Sequence, residues 1–476
     1  MKKKLLITII SVFTSNIVFG QEKVEQLDKL MGLYNEYGQF NGSVLVSENG
    51  KVIYKKGFGM ANMEWDIPNE ANTKHRLGSI SKQFTGMLIM QLVEAGKLKL
   101  DVPITTYLTD YPKETGNTIT LHHLLTHSSG IPNYTSFKDF RAIQRDYYSP
   151  TEFVKTFADS TLNFKPGEKF SYSNSGYFLL GVIIEKVTGK TYEEVLQDQI
   201  LTPLNMTNSG FDHHSTILKN RATGYEKYGS TYINAPFLDM ALPYAAGALY
   251  STVEDLYLWD QALYTNQLLT KENMELVFTG YLNGYGYGWG IGKQLMGNNS
   301  DSSIVNEHQG GVNGFHTIIS RNTTDNNLVV LLNNTGGAAL NEMKDAIYGI
   351  LYGTDYKMPT KSLATELMNI ILKNGIQSGV DQFNSLKKSE IYSLNENDMN
   401  TVGYQFLQDG KVKEAISIFK LNTEEFATSA NTYDSLGEAY LKAGNYKLAI
   451  KNYKKTLELN SENPNAIEVL KKLEAK

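Results

Sequence analysis

The stretch "HRLGSISKQFTGMLIMQLVEAG" (75–96) sets a serine and a lysine, Ser79 and Lys82, three positions apart where a run of largely apolar residues begins. A helix that is apolar around most of its circumference belongs in the centre of a large domain, not on its surface. Ser79 stands at the start of that helix, beside backbone N–H groups that the helical ladder leaves unpaired and at the positive end of the dipole. Lys82 follows at i+3 and shares its face. Spacing alone does not make this chemistry. S-x-x-K also occurs at Ser385/Lys388 and Ser417/Lys420, and its commonplace form is a capping serine followed by a lysine that snorkels to water. A catalytic serine needs a base within hydrogen-bond reach and donors for the oxyanion it creates.

Working outward, "GSVLVSENGKVIYKKG" (42–57) is two β-rich runs joined through Asn49-Gly50, a hairpin signal. Ahead of it, Val24, Leu27, Leu30, Met31 and Tyr34 fall at helical spacing. The middle of the chain reads as helices and loops, with aromatic and glycine punctuation such as "NGYGYGWGIG" (283–292). β-pattern returns in "SIVNEHQGG" (303–311), "FHTIISR" (315–321) and "NLVVLLNN" (327–334). Two strands early and three late predict an α/β domain over 21–352 whose five-stranded antiparallel sheet is closed by both ends of the chain segment.

"GTDYKMPTKS" (353–362) has linker composition. Beyond it, over 363–476, the pattern is wholly helical. Gly403, Leu407, Gly410, Ala415, Ile416 and Phe419 recur 34 residues later as Gly437, Leu441, Gly444, Ala449, Ile450 and Tyr453. That period, with small residues at the helix crossing, resembles tetratricopeptide repeats, and it implies packing, self-association or a protein partner for this region. "LMNIILKNGIQSGVDQF" (367–383) reads as a degenerate earlier unit and "NPNAIEVLKKLEAK" (463–476) as a terminal helix. Ser385 and Ser417 therefore sit in helical-repeat sequence, on solvated faces.

Composition narrows the function. The formal net charge is −5; without the first twenty residues, which hold Lys2, Lys3 and Lys4 and no acid, it falls to −8. Such a chain lacks the basic face that nucleic acid requires. It contains no cysteine, which excludes thiol catalysis, disulfides and cysteine metal sites. "MKKKLLITIISVFTSNIVFGQ" has the basic, apolar and small-residue parts of a signal peptide, with cleavage expected after residue 20 and a periplasmic or secreted product without a membrane span. The adjacent pairs His122-His123 and His213-His214 cannot share a helix face as metal ligands do, so no metal and no cofactor is expected. No G-x-S-x-G elbow occurs.

Two further segments supply what Ser79 lacks. "KPGEKFSYSNSGYFLLGVIIEKVTG" (165–189) offers Tyr172-x-Asn174 before an apolar helix, and "NEHQGGVNGF" (306–315) offers His308-x-Gly310 on an expected strand. With "FNGSVLVSENGKVIYKKGFG", "ITLHHLLTHSSGIPNY" and "AGALYSTVEDLYLW" in the same order, the chain over about residues 35–352 resembles the serine β-lactamase and penicillin-binding-protein-like hydrolases, in the branch of class C β-lactamases, D-alanyl-D-alanine carboxypeptidases and esterases. The resemblance implies a helical lobe beside the sheet, Ser79 as acylated nucleophile, and Lys82 and Tyr172 as its proton partners. It implies that Asn174, His308, Gly310 and Gly311 bind substrate, with the N–H groups of Ser79 and Gly311 as oxyanion hole. The expected substrate is a small-molecule or peptide acyl donor. One departure matters: the third motif has His308 and Gln309 where Lys and Ser or Thr are common, which points from β-lactams toward esters and D-amino-acid amides. The competing reading is a catalytically silent scaffold whose repeats recruit a partner.

Overall fold

The computed structural model describes residues 21–229, 231–295 and 302–474; the expected signal peptide lies outside them. The chain forms two compact units. One contains residues up to Glu226 and Asn234–Met358; the other contains Lys227–Ile233 and Pro359 onward. We number the strands of the main sheet and the longer helices in chain order.

The first unit is built on an antiparallel sheet of β1 (Gly42–Glu48), β2 (Lys51–Phe58), β3 (Gly290–Leu295), β4 (Ser302–Val312), β5 (Phe315–Asn322) and β6 (Asn327–Asn333). Its spatial order is β3-β4-β5-β6-β1-β2. Early and late strands meet where Val44 pairs with Leu331 and Val46 with Val329. The β1–β2 turn passes through Asn49 and Gly50, both at positive φ (51° and 72°), as a tight hairpin requires. The sheet has six strands, not five. The extra one, β3, grows out of the glycine-rich run that read as punctuation, because glycines dilute the alternation by which strands are recognised.

Period-two alternation sends successive residues of the central strands to opposite cores. Val44, Val46, Val329 and Leu331 face α1 (residues 21–36) and α4 (Leu340–Tyr352), which contribute Leu27, Leu30, Met343 and Ile347. Leu45, Leu328, Val330 and Leu332 face the larger cluster around α2 (Ser81–Glu94) and α3 (Asn174–Thr188). Every residue of β6 is buried. In α2 all ten residues from Ser81 to Met90 are buried, so this helix is the hub of the helical lobe, and its polar side chains must find partners inside the protein. Thr85 Oγ1 donates to the Ala245 carbonyl at 2.6 Å and Gln83 Oε1 accepts from Trp259 Nε1 at 3.0 Å, while Gln83 Nε2 has no partner among the described residues.

The second unit is all-helical apart from short strand segments. Its helices are α5 (Leu363–Asn374), α6 (Ile376–Lys387), α7 (Glu396–Gln408), α8 (Val412–Glu425), α9 (Ala430–Lys442), α10 (Tyr446–Leu459) and α11 (Pro464–Glu474). The 34-residue period has a structural counterpart. A Cβ on Gly403 would lie 2.4 Å from the Phe419 ring and one on Gly437 would lie 3.2 Å from the Tyr453 ring. Each glycine lets the next helix bring its aromatic ring against the backbone. Residues 227–233 depart from the expected division at 352: Tyr228 packs into the helical core and its hydroxyl donates to the Gln405 carbonyl at 3.2 Å. Among the described residues no helix is long and apolar enough to cross a membrane.

Candidate active site

Ser79 lies in a 3₁₀ turn, Gly78–Ile80, directly ahead of α2. Gly78 has φ +55°, and a Cβ there would sit 2.7 Å from the Gly311 nitrogen. The turn bearing the serine is thus pressed against β4, and only glycine permits both the backbone angle and the approach. Gly310 is required by the same contact, since its Cβ would lie 1.9 Å from the Leu77 carbonyl oxygen. Thr317 Oγ1 donates to that carbonyl at 2.7 Å and fixes the turn to β5 as well. Pairing of β3 with β4 ends at Gly290 and Glu307, so residues 308–312 have β5 alone as a strand neighbour and present an edge beside Ser79.

Lys82 is fully buried and its Nζ has three neighbours: Ser79 Oγ at 3.0 Å, Asn174 Oδ1 at 2.8 Å and the Ala246 carbonyl at 2.8 Å. Burial pushes its ammonium well below the ordinary lysine range. A neutral amine has two N–H groups and one lone pair. Asn174 Oδ1 and Ala246 O can only accept, so they take both N–H groups, and the lone pair is left for the Ser79 hydroxyl. Asn174 is held in turn by Asn133, whose Oδ1 accepts from the Asn174 backbone N–H (3.1 Å) and Nδ2 (3.2 Å). That second hydrogen bond fixes which end of the Asn174 amide faces the lysine.

Tyr172 places its ring centroid 4.9 Å from Lys82 Nζ. Its hydroxyl is buried without a fully formed hydrogen bond; burial raises its pKa, and the neighbouring Ser79 hydroxyl offsets part of that rise. His127 clamps this tyrosine. The His127 carbonyl accepts from the Ser171 N–H at 2.8 Å, its Nδ1 accepts from the Ser173 N–H at 3.2 Å, and its ring lies 4.1 Å from the Tyr172 ring. Both flanks and one face of Tyr172 are therefore fixed by a single residue. Because Nδ1 accepts, Nε2 carries the proton, and burial holds the imidazole neutral.

His308 sits on β4, buried. Its Nδ1 lies 2.6 Å from the Gln309 carbonyl and its Nε2 2.8 Å from the Tyr285 hydroxyl. A carbonyl cannot donate, so Nδ1 carries the proton and Nε2 accepts from Tyr285. Burial, with the Lys82 charge second, pushes its pKa to about 3. Gln309 turns its amide away to donate to Asn341 Oδ1 at 2.7 Å.

The structure thus brings Ser79, Lys82, Tyr172, Asn174, His308, Gly310 and Gly311 into one neighbourhood. Sequence reasoning missed Asn133, Ala246 and Tyr285, and assigned His127 no part in the site. Asn133 stands in the quoted "SSGIPNY"; the Ala246 contact is a carbonyl and leaves no side-chain signal. The paired histidines serve elsewhere: His122 Nδ1 meets the Tyr287 hydroxyl at 2.9 Å, and His213 Nε2 meets Glu193 Oε2 at 2.7 Å. Among the described residues no cluster could hold a metal ion.

A family profile described as Beta-lactamase matches residues 22–352. The putative penicillin-binding protein PbpX of Bacillus subtilis is 30% identical over 339 residues, which cover 70% of this chain and 81% of that one. An octameric penicillin-binding protein homologue from Pyrococcus abyssi has a similar structure, with TM-score 0.62 and 30% identity over 73% of this chain and 82% of its own. D-amino acid amidase from Ochrobactrum anthropi, at 24% identity, shares the fold, with TM-score 0.57 over 65% of this chain and 93% of its own.

Proposed function

From the premise that the chain belongs to the beta-lactamase family of serine hydrolases, we propose that it cleaves esters or amides of acyl donors lacking a carboxylate beside the scissile bond, through a Ser79 acyl-enzyme. The observation that carries the reading is the Lys82 amine, buried at 3.0 Å from Ser79 Oγ with its two N–H groups committed to Asn174 and Ala246. Ser79 Oγ attacks the acyl carbon while its proton passes to the Lys82 lone pair. The N–H groups of Ser79 and Gly311, adjoining through Gly78, receive the developing oxyanion. The Tyr172 hydroxyl protonates the leaving oxygen or nitrogen and is reprotonated by the Lys82 ammonium. Water then gives a proton to the Lys82 amine and adds to the acyl carbon; the acyl–Oγ bond breaks, Ser79 Oγ takes that proton back, and the carboxylic acid leaves.

Substrate class follows from the third motif. Both His308 nitrogens are engaged and the ring is neutral, and Gln309 faces Asn341, so this strand offers backbone alone to substrate. Penicillins and peptides ending in D-alanine carry a carboxylate that such a strand does not attract. Purified protein should therefore turn over p-nitrophenyl esters or D-amino-acid amides faster than penicillins; faster cephalosporin hydrolysis would overturn this reading of the motif. The helical unit we assign to tetratricopeptide-like packing, self-association or protein contact. Export with removal of residues 1–20 completes the proposal, and N-terminal sequencing of the cell-envelope protein tests it.

A further inference from the structure

A cavity of about 410 Å³ lies in the first unit and shares no residue with the set around Ser79. Its volume is within the usual range for small-molecule sites, roughly 300–1,000 Å³. Aromatic rings of Tyr148, Tyr192, Phe211 and Tyr244 line it. Tyr192 and Tyr244 are buried and lie 5.4 Å apart, and Phe211 is 6.3 Å from Tyr192.

Its charge is one-sided: four carboxylates line it, and no lysine or arginine does. Two of the four are already satisfied. Asp212 is paired with Arg76 at 2.6 Å and Arg221 at 2.5 Å, and Glu193 with His213. The other two, Glu185 and Asp239, have no ion-pair partner among the described residues. Glu185 accepts from the Tyr192 N–H at 2.9 Å and faces the Tyr244 hydroxyl, whose pKa is raised by burial first and by the Glu185 charge and hydrogen bond after it; Asp239 accepts from the Ala241 N–H at 2.9 Å. Hydrogen bonds leave the charge of each carboxylate without a counter-ion, free to meet a ligand's cation. Two such carboxylates over a wall of aromatic rings form a combination that an organic cation satisfies at once, with ring faces for its charge and a carboxylate opposite.

We propose that this cavity is a second, non-catalytic site for an organic ammonium ion carrying an aromatic or alkyl body. The assignment does not depend on the reaction at Ser79. Benzyltrimethylammonium, titrated calorimetrically into the full-length protein, is expected to bind saturably with one site per chain. Benzyl alcohol, of similar shape without the charge, should bind at least about tenfold more weakly. Asp239→Asn and Glu185→Gln keep their acceptor oxygens and remove charge alone, and each should weaken binding of the cation by about tenfold. Tyr147→Ala, at an exposed ring on the cavity rim, supplies a variant that spares the core and should also weaken binding. Absence of saturable binding, equal affinity for benzyl alcohol, or unchanged affinity in both charge-removing variants would overturn the proposal.

Discussion

Ser79–Lys82 and Ser417–Lys420 have the same spacing and opposite surroundings. Lys82 is fully buried, its three neighbours are the acceptor oxygens of Asn174 and Ala246 and the Ser79 hydroxyl, and burial drives its ammonium toward the neutral amine. Ser417 and Lys420 lie on α8 of the helical unit, and Lys420 is exposed to water. Ser385 and Lys388, at the end of α6, are both exposed. Without desolvation nothing favours a neutral amine over the hydrated ammonium, and the serine gains no base. The motif is a distance; in the proposed reaction, what makes it a nucleophile and base is desolvation together with two acceptors that use up the amine's N–H groups.

The comparison can be broken at either end. The largest expected effect is Ser79→Ala, which should lower ester turnover by at least about four orders of magnitude, whereas Ser385→Ala and Ser417→Ala leave it unchanged. Lys82→Met should cost about 10²–10⁴-fold in kcat, and Lys420→Met nothing; equal losses would mean that burial is not the distinguishing term.

The pH profile sharpens the same point. The Lys82 pKa is depressed, so the amine is the neutral base above that lowered pKa and is protonated below it. kcat/KM should therefore fall as pH drops through the Lys82 pKa, and Lys82→Met should lose that limb. His308, held at about 3, stays neutral across the working range, so His308→Gln should leave the limb in place.

A smaller effect is expected at His127. His127→Phe keeps a ring against Tyr172 but removes the acceptor for the Ser173 N–H, at a cost of about 1–3 kcal/mol in stability by chemical denaturation. The tyrosine is then less well placed, so kcat should drop while KM holds. Rescue of kcat by His127→Asn, which can restore the acceptor, would assign the effect to that bond.

The last effect, on stability and not on turnover, lies in the helical unit. Gly437→Ala, with 3.2 Å to the Tyr453 ring, gains helix propensity of up to about 1 kcal/mol against a slight crowding. Gly403→Ala forces the Phe419 ring from 2.4 Å, an overpacking cost of about 1–3 kcal/mol. Thermal unfolding should rank Gly437→Ala as the more stable variant.

What the sequence disclosed follows from how each feature is encoded. The β1–β2 hairpin was legible because Asn49-Gly50 stands between two β-rich runs, and α2 because apolar residues surround it. That Ser79, Lys82, Tyr172 and Asn174 share one neighbourhood was legible through side chains in ordered segments. Strand β3 was hidden by its glycines, and residues 227–233 carry no mark of joining the helical core. The Ala246 carbonyl, which fixes one of the lysine's N–H groups, belongs to a backbone position that any residue could supply. The His308 tautomer is fixed by the Gln309 carbonyl beside it, but the donor to its Nε2 is Tyr285, 23 residues away in sequence, and only the fold brings those two to 2.8 Å.

The central claim, that burial makes the Ser79–Lys82 pair and no other S-x-x-K pair reactive, is tested most directly by site-resolved labelling. A fluorophosphonate probe is incubated with the full-length protein and the modified peptide is identified by mass spectrometry. A single adduct on Ser79 is expected, absent in Ser79→Ala and formed at least about 10²-fold more slowly in Lys82→Met. Labelling of Ser385 or Ser417 at a comparable rate, or labelling of Ser79 at an unchanged rate without Lys82, would contradict it.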